Sequence, residues 1–90
     1  MTTFTFISDP GHGWLMVSPG QLADVGLTEA DITPYSYRNI GAGTLALEED
    51  CDAGTFLDAW KAKNPGDDLS FMEVHEDPCP IRNWPSFGSK

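Results

Sequence analysis

The hydrophobic pattern of the 90-residue chain switches from alternation to helical spacing at Asp52 and back again after Pro65, and no other feature limits the fold as much. Ala53, Phe56, Leu57 and Trp60 recur at i, i+3, i+4 and i+7, with Asp58, Lys61 and Lys63 on the other side. That spacing lines apolar side chains along one face of a helix, which Asn64-Pro65-Gly66 then stops. Leu69 to His75 alternates instead, with Leu69, Phe71, Glu73 and His75 on one face of a strand and Ser70, Met72 and Val74 on the other.

The segments before Asp52 read as two hairpins around a short helix. Thr3-Phe4-Thr5-Phe6-Ile7 and Trp14 to Val17 flank Asp9-Pro10-Gly11-His12-Gly13, a run dense in turn formers. Ser18, Pro19 and Gly26 are placed as N-cap, first helical residue and C-terminal stop of a two-turn helix. Leu27 to Ile32 adds a turn capped by Thr28 before Thr33-Pro34 breaks it. Tyr35-Ser36-Tyr37-Arg38 and Thr44 to Glu48 then flank Gly41-Ala42-Gly43, a tip in need of positive φ. The order β-β-α-β-β-α-β predicts an α+β fold: an antiparallel or mixed sheet of about five strands, one face covered by the main amphipathic helix. Residues 1–77 are expected to form a single domain, and 78–90, with Pro78, Pro80 and Pro85, an irregular tail packed on it.

Charge narrows the partners. Fourteen Asp and Glu against five Lys and Arg give a formal charge of -9, which leaves no basic footprint for direct nucleic-acid binding. Met1-Thr-Thr-Phe-Thr-Phe-Ile has neither a basic start nor a long apolar run, so a cytoplasmic protein without membrane contact is expected. Cys51 and Cys79 could form one disulfide, but in that reducing compartment two free thiols are the expectation.

The densest charge, Glu48-Glu49-Asp50-Cys51-Asp52, falls where a strand hands over to the main helix. Carboxylates there stabilise the helix N-terminus, or they form a patch that attracts a basic groove on another protein. A calcium loop starting at Asp50 would need Glu at its twelfth position, where Lys61 stands. Structural zinc would need local ligand pairs; only His75-x-x-x-Cys79 has local spacing, and His12 and Cys51 are far from it in sequence. A Cys51 nucleophile is opposed by its acidic neighbours, which raise a thiol's pKa. His75-Glu76-Asp77-Pro78-Cys79 lacks both the His-x-Glu and the Cys-x-x-Cys of nucleobase deaminases. No catalytic residue, metal site or cofactor is assigned. The aromatic residues exceed what one small core holds, so Tyr35, Tyr37 and Arg38 on the second hairpin and Trp84 in the tail join Glu48, Glu49, Asp50 and Asp52 as partner-binding candidates. For Trp84 the competing reading is that, with Phe87, it pins the tail onto the sheet.

The strings His12-Gly-Trp-Leu-Met-Val, Tyr35-Ser-Tyr, Leu47-Glu-Glu-Asp-Cys-Asp-Ala and Pro80-Ile-Arg-Asn-Trp, taken in order, resemble the HGWL, YSY, LEED and IRN blocks of small phage- and plasmid-borne proteins. That group supplies no activity and assigns no residue a role. The resemblance implies context: a mobile-element accessory protein acting in the cytoplasm of a bacterial host. Two functions follow as expectations. One is a monomeric or weakly dimeric acidic protein that binds, and modulates or inhibits, a host protein with a basic surface, such as a nucleic-acid-handling or defence factor. The other is a small metal-dependent or cysteine/histidine enzyme using His12, His75 and the acidic cluster.

Overall fold

The computed structural model describes residues 2–33, 36–39, 43–77 and 80–84. Strand β1 (Thr2–Ser8) turns back into β2 (Gly13–Val17) through a loop that the Asp9 side chain closes, its Oδ1 accepting from the backbone N–H of Gly11 at 2.9 Å and of His12 at 2.8 Å. Helix α1 (Pro19–Asp24) starts with a capping box: Ser18 Oγ accepts from Gln21 N at 3.1 Å, while Ser18 N donates to Gln21 Oε1 at 2.8 Å. Gly26 ends it at φ +80°, with Leu27 N donating back to Leu22 O at 3.1 Å, so the left-handed residue the sequence supplied satisfies the last carbonyls. A 3-10 turn (Glu29–Asp31), β3 (Tyr37–Asn39), β4 (Thr44–Glu48), α2 (Asp52–Lys63), β5 (Leu69–His75) and a second 3-10 turn (Pro80–Asn83) complete the chain.

The strands form one mixed sheet in the order β3-β4-β2-β1-β5, the α+β arrangement expected from the sequence. Pairing is antiparallel for β1 with β2, β2 with β4 and β4 with β3, and parallel for β1 with β5. Strands β4, β1 and β5 therefore run the same way, and α2 must carry the chain across β2 and β1 to set β5 on the far edge. Of the tip Gly41-Ala42-Gly43, only Gly43 is among the described residues, at φ +70°.

Alternation sorts the strands onto two cores. Phe4, Leu15, Val17, Leu45 and Leu47 face the helices and pack with Leu22, Val25 and Ile32 and with Ala53, Phe56 and Trp60 of α2. Phe56 is fully buried, and its ring meets Phe4 edge-on at 5.4 Å; Trp60 meets the same ring at 6.1 Å. Leu57, the fourth residue of the helical stripe, is only half-buried. The opposite face holds a smaller core of Trp14, Ala46 and Ile81, flanked by Ile7, Met16, Tyr37 and Trp84. A Cβ at Gly13 would come within 2.5 Å of the Phe6 ring, so any other residue there would require the half-buried Phe6 side chain to shift.

Truncating Phe56 to Ala removes the side chain that joins α2 to the sheet. It is expected to cost about 3–5 kcal/mol in chemical denaturation. A loss under about 1 kcal/mol, the range of surface changes, would contradict this packing.

Candidate functional site

The acidic turn is built around a buried carboxylate. Asp52, in the first turn of α2, is 1% exposed and accepts from Thr33 N at 3.1 Å on both oxygens and from the Thr33 hydroxyl at 2.7 Å. The Ser36 hydroxyl also donates to it, and the same hydroxyl oxygen accepts from Glu48 N at 3.0 Å. The end of β4, the segment before β3 and the start of α2 are thus tied through one serine. Asp52 gains a second stabilising influence from the helix N-terminus it occupies.

Glu48 is buried as well, and it turns inward on its own loop: its Oε2 accepts from Asp50 N at 2.9 Å, and its Oε1 is 3.8 Å from His12 Nδ1. Glu49 and Asp50 face solvent. The cluster that reads as one patch in sequence is therefore two pairs. Asp52 and Glu48, as partner-binding candidates, have their oxygens directed into the fold; Glu49 and Asp50 are presented outward. Sequence reasoning missed Ser36, which carries no signal of its own between two tyrosines, and it missed the burial of Asp52.

Cys51 is the N-cap of α2, but its side chain makes no capping bond. The thiol is exposed. Local desolvation, followed by the charges of Glu48, Asp52 and Asp50, pushes its pKa up, as the acidic sequence context leads one to expect. Cys79 lies outside the described residues. His12 and His75 stand at the same end of the sheet, since Ser8 pairs with both Gly13 and His75, and the Ser8 hydroxyl lies 3.4 Å from His75 Nδ1. Among the described residues, no three His, Cys, Asp or Glu side chains come together as a metal-holding group.

The aromatic candidates have structural partners. Tyr37 meets Trp14 edge-on at 6.2 Å, and Trp84 packs on the core of Trp14, Ala46 and Ile81; Phe87 lies outside the described residues. Arg38 is half-buried and, by strand alternation, lies on the sheet face opposite Tyr37. Tyr35 lies outside the described residues. No helix among the described residues is long and apolar enough to cross a membrane. No family model, no curated protein and no solved structure matches the chain.

Two outcomes follow from this geometry. Asp52→Ala removes the acceptor of the part-buried Thr33 N–H and of the buried Ser36 hydroxyl and is expected to cost about 2–4 kcal/mol, whereas Glu49→Gln should stay within about 0.5 kcal/mol; urea unfolding of both variants checks the contrast. In a Cys79→Ser background, the pH profile of Cys51 alkylation by iodoacetamide should have its midpoint above that of an ordinary thiol, because the raised pKa leaves less thiolate at any given pH. A midpoint at or below the ordinary value would contradict the electrostatics described.

Proposed function

We propose that the protein is a non-enzymatic acidic binding protein that occupies a basic surface on another protein and modulates or inhibits it. The observation that carries this reading is the division of the acidic turn. Glu48 and Asp52 serve the fold, while Glu49 and Asp50 remain in solvent at the same end of the sheet, with no fold-building bond from their side chains among those described. Around them the chain carries -9 formal charges, enough to steer association with a basic partner and to disfavour self-association. A raised Cys51 pKa and the absence of an assembled ligand set among the described residues give the enzymatic alternative less support. The block resemblance adds the setting: a mobile-element protein directed at a host factor in the bacterial cytoplasm, with a nucleic-acid-handling or defence protein as the partner whose basic groove an acidic body fits.

The test is capture from bacterial lysate followed by titration of the purified partner. A basic-surfaced protein should be retained at about 50 mM salt and released at about 500 mM, where the screening length falls to a few ångströms. The Glu49→Gln, Asp50→Asn double variant should keep its thermal stability, associate more slowly and show a flatter salt dependence. Failure to find any salt-sensitive basic partner would overturn the proposal.

A further inference from the structure

Strand β5 is the long edge of the sheet, and its chemistry is that of a contact strand. Phe71, Met72 and Val74 are 42%, 55% and 37% exposed, on both faces of the strand. Thr2 N donates to Asp68 O, and Glu76 N donates to Ser8 O, each at 2.8 Å. By alternation, the even-numbered residues between them bond to β1, and the N–H and C=O groups of Leu69, Phe71, Glu73 and His75 point off the edge. No described strand pairs with them. Natural edges are blunted by lysine, proline, a bulge or short length. This one is 7 residues long and contains no Lys, Arg, Pro or Gly, with Glu73 its sole carboxylate.

The charges around the edge decide what can cover it. Between Asn64 and Ile81 the chain has five carboxylates and no Lys or Arg. A second copy pairing antiparallel about Met72 would set Asp68 opposite Glu76 at both ends, and Asp67 opposite Asp77 just beyond. Like charges directly opposed on paired strands are destabilising. The same carboxylates attract a strand with cationic ends. Beside the edge, Phe6, Leu15, Ala53, Leu57, Phe71 and Glu73 line an open apolar groove of about 250 Å3, ready for side chains on the helix-facing side of an added strand.

We infer that β5 docks an extended segment of a partner protein, adding it to the sheet as a sixth strand, and that this segment has alternating apolar residues flanked by Lys or Arg. The inference rests on the acidic-binder reading and names the surface and the partner chemistry. Backbone pairing supplies the affinity, and Phe71, Met72 and Val74 the apolar contacts. Asp68, Glu73, Glu76 and Asp77 supply the selection for positive charge, and Asp68 and Glu76 also oppose a second copy in the register centred on Met72.

The test uses the full chain and three synthetic peptides: Lys-Lys-Val-Thr-Val-Thr-Val-Lys-Lys, its Glu-flanked counterpart, and the Lys-flanked peptide N-methylated at alternate residues so that it cannot donate to the edge. The Lys-flanked peptide should bind and slow exchange of the Phe71 and Glu73 amides about tenfold or more. Both other peptides should bind at least about tenfold more weakly, as expected when charge pairing or the backbone ladder is lost. Glu73→Pro removes an outward donor without touching the bonds to β1 and should weaken binding about tenfold, against about two- to threefold for Glu73→Gln. Equal binding of the N-methylated peptide, or protection confined to the Glu49–Asp50 turn, would overturn the edge inference while leaving the acidic-binder reading intact. Concentration-dependent protection of the Phe71 and Glu73 amides without peptide, together with a dimer in sedimentation, would overturn it in favour of a second copy. Loss of all salt-sensitive basic partners in the lysate capture would instead remove the reading beneath it.

Discussion

The buried carboxylate of Asp52 is the constraint on which the rest of the architecture turns. A carboxyl group with almost no exposure is costly to desolvate, and its oxygens need hydrogen-bond partners inside the protein. Here the donors are the Thr33 backbone and hydroxyl and the Ser36 hydroxyl. Because Ser36 also accepts from Glu48 N, the chain's path into β3, the last residue of β4 and the first turn of α2 are fixed with respect to one another. That fixed start aims α2 across β2 and β1, where Phe56 and Trp60 close on Phe4. The direction of α2 then delivers β5 to the edge beyond β1 and makes that pairing parallel.

The same economy shapes the surface. Acidic residues do two different jobs within five positions: Glu48 and Asp52 hold the turn, and Glu49 and Asp50 leave it. Exposed carboxylates stand at this end of the sheet, at Glu49 and Asp50, and beside or on β5, at Asp68, Glu73 and Asp77. Under the proposed binding role, these groups would serve both solubility and the selection of a basic partner. Carboxylates beside β5 oppose edge-to-edge pairing in the register centred on Met72, where Asp68 would face Glu76.

Much of the fold was legible because its signals are local. The Ser18, Pro19 and Gly26 pattern specifies both ends of α1, and the Ala53, Phe56, Trp60 spacing gives the buried face of α2, both of which the structure contains. Five strands and their order along the chain were readable from alternation and turn residues. Their order in the sheet was not, since the parallel pairing of β1 with β5 joins residues more than 60 positions apart and leaves no local trace. The candidate site was less legible for a related reason. Charged residues default to the surface in a sequence reading, so the inward direction of Asp52 and Glu48 was invisible without Ser36 and Thr33 beside them. Tyr37 and Trp84 border a second core on the face away from the helices; of the two, only Trp84 had a reading in sequence that placed it on the sheet.

The central claim is that Asp52 and Ser36 act as one linkage holding the acidic turn in place. A double-mutant cycle with Asp52→Asn, Ser36→Ala and the combined variant, read by equilibrium denaturation, measures that linkage directly. The account predicts a coupling energy of about 1 kcal/mol or more, as for groups sharing a buried hydrogen-bond network. Additive losses, with coupling indistinguishable from zero, would contradict it.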